Sequence, residues 1–148
     1  HSALFLLIAG DGPDRAVLEK ETDRLGVRDR VTFLGFVADT EVLYAHADFI
    51  VIPSRQESWS RVAVEAIARG KPVLMTDVGC AGEIIIHEQN GIVVPVIDRA
   101  AMYDALTRLV EHPEVRERFA KGAKDTARQL PTLDDAVKNY VSLWSPAL

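Results

Sequence analysis

The chain has 148 residues, 48% hydrophobic and 26% charged, which fits one domain and speaks against disorder. A single cysteine, Cys80, excludes a disulfide scaffold and fits a reducing interior. Seventeen Lys and Arg against 22 Asp and Glu leave a charge of −5, the wrong sign for a nucleic-acid footprint.

The elements alternate along the chain. Ala3-Leu4-Phe5-Leu6-Leu7-Ile8-Ala9 is an unbroken apolar run, as expected of a strand buried on both faces of a parallel sheet. It is also the longest such run, far short of the roughly 18–20 residues that cross a bilayer, so no transmembrane segment is expected. No basic leader with an apolar core and a cleavage site precedes it. Gly10-Asp11-Gly12 follows, with Pro13 placed as a first helical residue and Val17, Leu18 and Leu25 at helical spacing before Gly26. Val31-Thr32-Phe33-Leu34 is a second strand. Asp39 or Thr40 caps a short helix through Ala47, and Phe49-Ile50-Val51-Ile52 is a third strand. An apolar helix from about Ser60 to Arg69 leads to the fourth strand, Pro72-Val73-Leu74-Met75. Gly79 to Ile86 is expected to form a short helix, and Gly91-Ile92-Val93-Val94 a fifth strand. Asp98 caps a helix, Pro113 starts another, and the tail from Thr132, with Val137, Tyr140, Val141 and Trp144, reads as a last amphipathic helix. Short strands separated by helices specify right-handed crossovers: an α/β, Rossmann-like three-layer α/β/α sandwich with a parallel sheet. Ligands of such sheets bind at the carboxyl ends of the strands.

Some chemistries fail on spacing. A dinucleotide fingerprint needs a third glycine where Arg15 stands, and an acidic residue where Gly35-Phe36 stands. There is no Gly-x-Ser-x-Gly elbow and no Walker lysine loop. His46, His87 and His112 lack metal-ligand spacing, so no metal site is expected. The informative stretch runs from Pro53-Ser54 through Glu57 to Glu65 and Gly70-Lys71-Pro72-Val73. Glu57 precedes a helix, and Glu65 lies about two turns into it among apolar neighbours, where an unpaired carboxylate is costly to desolvate. On spacing alone Arg61, Glu65 and Arg69 form a salt-bridged exposed stripe, and Glu57 complements the helix dipole. Amides at the start of that helix also suit an anion.

Glu57-x7-Glu65, with Pro53-Ser54 before it and Ala66 and Gly70-x-Pro72-Val73 after it, resembles the donor half of retaining, two-Rossmann-domain (GT-B) glycosyltransferases, family 4 in type. Gly10-Asp11-Gly12-Pro13, Val31-Thr32-Phe33-Leu34-Gly35-Phe36-Val37, Ala47-Asp48, the stretch from Asp77 to Ile85, and Asn90-Gly91-Ile92-Val93-Val94-Pro95 extend the resemblance in order from about Leu4 to Pro113. It implies a nucleotide-sugar binding domain at 1–131 and a helix at 132–148 packing toward an upstream acceptor domain. Glu57 would be the catalytic-site residue, contacting the donor sugar near its 3- and 4-hydroxyls. Glu65 would accept from the ribose hydroxyls. Backbone amides of Ser58, Trp59, Ser60, Arg61 and Val62 would hold the diphosphate. Leu34, Gly35, Phe36 and Val37 would frame the base, with Gly10 and Gly12 keeping the first loop low. Glu83 would anchor its own loop.

The activity so implied is hexosyl transfer from a nucleoside diphosphate-sugar to an acceptor hydroxyl, in polysaccharide, lipopolysaccharide or glycolipid synthesis. No cofactor is expected, the nucleotide-sugar being a substrate. A phosphate-clamping Arg and Lys are expected ahead of His1, and the chain alone is expected to be inactive and prone to self-association through its last helix. The location implied is cytoplasmic, with any membrane contact made through the upstream domain. The sequence departs from the family pattern at Ser58, Ser60 and Arg61, where glycine, glycine and an apolar residue are usual, and at Cys80, often glycine. A nucleotide-sugar epimerase half-domain and a non-catalytic nucleotide-binding module are the alternatives.

Overall fold

The computed structural model describes residues 4–144, so Ala3 of the first expected strand and the last four residues of the expected 132–148 segment lie outside the described residues. The chain forms two compact units, divided between Leu43 and Tyr44 inside a short helix.

In the first unit β1 (Leu6–Ala9) and β2 (Val31–Gly35) pair in parallel, Leu6 opposite Val31, with a one-residue slip after Ile8 that sets Ala9 opposite Gly35. Between them run α1 (Arg15–Arg24) and a 3-10 turn, Arg28–Arg30. Two expectations fail here. Pro13 sits in a turn and the helix starts two residues later, the Arg15 amide closing the turn on the Gly12 carbonyl. The β1 run is not buried: Leu6 and Leu7 are 45% and 49% exposed. An all-apolar strand needs cover on both faces. Among the described residues β1 pairs with β2 alone, and Val17 and Leu18 of α1 are themselves exposed. α2 (Glu41–His46) is entered as expected, the Asp39 carboxylate accepting from the Glu41 amide.

In the second unit β3 (Ile50–Ile52), β4 (Val73–Thr76) and β5 (Gly91–Val94) form a parallel sheet in that order. β4 is buried throughout, and its alternation divides the core. Val73 and Met75 join Ala63, Ala66 and Ile67 of α3 (Arg61–Ala68); Leu74 joins Ala105 and Leu109 of α4 (Arg99–Glu111). α5 (Pro113–Ala127) gives Ala123 to the first cluster and Phe119 to the second. Helices therefore cover both sheet faces, the expected α/β architecture. Burying a side chain the size of Leu74 contributes about 1.5–3 kcal/mol, and that position has no alternative face to occupy.

Local signals behave as their chemistry dictates. The Asp98 carboxylate accepts from the Ala101 amide at 2.9 Å, and Pro113 is the first residue of α5. The Thr132 hydroxyl and the Asp135 carboxylate cap each other's amides at the start of α6 (Leu133–Trp144), whose Tyr140, Val141 and Trp144 are exposed. The short helix expected at 79–86 does not form. Gly79 and Gly82 adopt φ +59° and +81°, and the buried Asn90 side chain takes the Ile84 carbonyl and the Ile86 amide, the latter a group a helix would have paired internally. Asn90 is thus the anchor of this loop; Glu83 is exposed.

Glu88 ties the next turn to two helices. Arg108 grips both its oxygens, one at 2.7 Å, and Arg118 reaches it at 2.9 Å. The Arg108 hydrogen bond, above all, holds the Glu88 carboxyl below its ordinary 4.5. The folded state therefore binds fewer protons than the unfolded one just below that value. The stabilisation is complete above about pH 4.5 and fades as pH falls through the lowered folded value. Because the carboxylate is 39% exposed, Glu88→Gln should cost less than about 1 kcal/mol at pH 7. The gap should narrow as pH falls below about 4.5 in urea titrations; a gap that does not change with pH would refute the assignment.

Candidate functional site

The loop from β3 to α3 carries Glu57, and a second loop supports it. The Ser54 hydroxyl donates to Glu57 Oε1 at 2.8 Å. Thr76, at the end of β4, donates its hydroxyl to the Ser54 carbonyl, and the Cys80 amide donates to the Trp59 carbonyl at 3.2 Å. Gly79, in the left-handed region, lies so close that a Cβ there would meet Glu57 Cβ and the Trp59 carbonyl carbon at 3.1 Å each. Cys80 is fully buried, and burial pushes its thiol above the ordinary range, leaving a packing residue rather than a nucleophile.

Ser60 precedes α3 with φ +67° and ψ +84°, a conformation that costs a non-glycine residue on the order of 1–3 kcal/mol. It is buried, and its hydroxyl neither caps the helix nor meets any hydrogen-bond partner among the described residues. The first turn of α3 is therefore entered without a side-chain cap from Ser60. Arg61, the first helical residue, is 91% exposed. Trp59 and Val62 beside it are half-exposed.

Glu65 is held from the other side. The Tyr44 hydroxyl donates to Glu65 Oε2 at 3.0 Å, while Oε1 stands 3.8 Å from Arg61 Nε. Arg69 does not complete a salt-bridged stripe: it donates to the Glu65 main-chain carbonyl and stacks over the Tyr44 ring, 4.7 Å from its centroid. The exposed-stripe reading thus fails at Arg69, and the carboxylate keeps a third of its surface open.

The first unit holds the remaining candidates. The Gly10 amide donates to the Gly35 carbonyl at 2.7 Å, bringing the Gly10 and Gly12 loop to the turn after β2. Both Gly10 and Gly35 have positive φ. Arg15 lies over this turn, ion-paired with Glu19 at 3.0 Å. Leu34 and Phe36 are exposed, Phe36 at 84%, and Val37 is half-buried.

Sequence reasoning misses Tyr44 and Thr76 altogether: each acts across more than 20 residues, with no local signal. Two of the histidines have structural partners: His87 Nδ1 accepts from the Val93 amide, and His112 Nδ1 lies 2.9 Å from Glu114. Among the described residues no group of three or more His, Cys, Asp and Glu side chains could hold a metal ion. Nor is any described helix long and apolar enough to cross a membrane.

Residues 1–126 match the family model described as glycosyl transferases group 1. An uncharacterized glycosyltransferase of Methanocaldococcus jannaschii is 39% identical over 145 residues, covering 97% of this chain and 37% of that protein. The lipopolysaccharide core biosynthesis glycosyltransferase LpsD of Rhizobium meliloti is 34% identical, covering 84% of this chain and 36% of its own length. Among solved structures, Anabaena HepE in complex with UDP superposes with a TM-score of 0.84 at 27% identity, covering 95% of this chain and 40% of that one. The chain thus spans little more than a third of the curated relatives it matches.

Proposed function

The chain belongs to the group 1 glycosyl transferases, and from that premise we propose that it is the donor-binding part of an enzyme that moves a hexosyl group from a nucleoside diphosphate-sugar to an acceptor hydroxyl. The product would be a polysaccharide, lipopolysaccharide or glycolipid, made with retention at the sugar. One observation carries the reading: Glu57 and Glu65 bracket the uncapped start of α3, each held by a neutral hydroxyl rather than neutralised by a tight ion pair.

That arrangement suits the donor. Carboxylates only accept hydrogen bonds, so sugar and ribose hydroxyls are their natural partners. Glu57 would take the hexose near its 3- and 4-hydroxyls, and Glu65 the ribose. The amides from Ser58 to Val62 would receive the diphosphate and steady the charge that grows on it as the sugar departs, with Arg61 adding a cation beside them. The binding of UDP by the HepE relative supports the nucleotide diphosphate as ligand. An acceptor-binding part upstream belongs to the same proposal, and the chain alone would hold donor without turning it over.

Calorimetry tests this directly. The chain should prefer one of UDP, GDP and ADP over NAD and ATP. Glu65→Ala should weaken that binding about 10- to 100-fold, the worth of a hydrogen bond to a charged group. Equal affinities in the variant and the parent chain would remove Glu65 from the site.

A further inference from the structure

We propose that Tyr44 is a positioning residue for nucleotide recognition: its buried hydroxyl fixes the Glu65 carboxylate in the rotamer that accepts a ribose diol. This rests on the donor-binding reading given above.

Glu65 sits on α3 with its side chain a third exposed, so nothing in the helix itself restricts its outer torsions. Among the described residues two contacts reach the carboxylate. The Arg61 guanidinium, 3.8 Å from Oε1, belongs to a side chain 91% exposed and adds little orientation. Tyr44 is different. It is 5% exposed and packs in the cluster with Ala63, Ala66 and Ile67, which fixes its ring. The Arg69 guanidinium lies 4.7 Å over that ring and is itself tethered to the Glu65 carbonyl at 2.8 Å. A rigid donor thus meets Oε2 at 3.0 Å. Each carboxylate oxygen has two lone-pair sites, so the Tyr44 bond leaves the second site of Oε2 and, beside the loose Arg61 approach, Oε1 with capacity to accept. A cis-diol needs two adjacent acceptors of that kind. A freely rotating carboxylate would bind a diol and a single hydroxyl with less distinction, because ordering it costs free energy at the moment of binding.

The consequence is selectivity rather than stability. Tyr44→Phe keeps the ring, its packing and the Arg69 contact and removes the hydroxyl that donates to Glu65. The parent chain should bind its preferred nucleotide among UDP, GDP and ADP about tenfold more tightly than the 2′-deoxy counterpart. Glu65→Ala should abolish that ratio. Tyr44→Phe should narrow it to about threefold or less, with its far-ultraviolet circular dichroism and unfolding temperature close to those of the parent chain. A ratio unchanged in Tyr44→Phe but lost in Glu65→Ala would overturn the role of Tyr44 and leave the donor reading standing. A ratio unchanged in Glu65→Ala, or absent from the parent chain, would overturn both. A Tyr44→Phe chain that no longer folds would assign the hydroxyl to structure and overturn the proposal as well.

Discussion

Gly122→Ala should destabilise the second unit by about 3 kcal/mol or more, although an intrinsic helix propensity argues for the opposite sign. Gly122 lies inside the 15-residue helix α5, where alanine would ordinarily gain about 1 kcal/mol over glycine. A Cβ at this position would fall 2.1 Å from the Gln89 carbonyl oxygen and 2.9 Å from its carbon. Both atoms are backbone, in a turn already pinned by Asn90, so no side chain can swing aside. The helix would have to withdraw, and it carries fully buried Phe119 and Ala123 into the two core clusters. Losing that registry outweighs the propensity gain severalfold. Thermal unfolding should show a midpoint lower by about 10 °C for a chain of this size. A midpoint at or above that of the parent chain would mean that the close approach of α5 to the Gln89 turn is wrong.

Gly122 also shows where the sequence stops being readable. Its constraint comes from a residue 33 positions earlier, and nothing nearby announces it. Features written in local chemistry were legible: β5 occupies the four residues its apolar run specifies, Asp98 caps α4, and Pro113 opens α5. The stretch at 79–86 had apolar content suited to a helix, but two left-handed glycines and an asparagine four residues beyond it decide otherwise. The run in β1 was legible as a strand and misleading as to burial, because periodicity reports which surfaces want cover and not whether the chain provides it. At the candidate site the two acidic residues stood out through the family resemblance, their spacing alone reading as a surface stripe, whereas their holders did not stand out at all. Ser54 is three residues from Glu57, but Tyr44 is 21 from Glu65. The departure at Ser60 gains its meaning only with the backbone in view: φ +67° is a glycine's conformation, and here a serine is held in it.

Asn90→Ala should cost about 3–4 kcal/mol, several times the worth of any single surface contact, because three part-buried groups lose their partner at once. The Asn90 side chain is fully buried. Its oxygen accepts from the Ile86 amide at 2.9 Å, and its nitrogen donates to the Ile84 carbonyl at 2.8 Å and to the Thr126 hydroxyl at 2.9 Å. Alanine would leave all three without that partner and open a gap where the fully buried side chain stood. Asn90→Asp should be no milder, since it keeps an acceptor for Ile86 but sets a carboxylate against the Ile84 carbonyl in place of a donor. The loop that Asn90 shapes begins at Cys80, whose amide braces the Trp59 carbonyl beside Glu57 and Ser60. The damage should therefore travel to the proposed donor site: at a temperature where Asn90→Ala is still folded, calorimetry should find nucleoside diphosphate binding weakened with Glu57 and Glu65 both intact. Urea titration showing a loss below about 1 kcal/mol would mean that the three groups find other partners, and unaltered nucleotide affinity would separate the 80–86 loop from the support of Glu57.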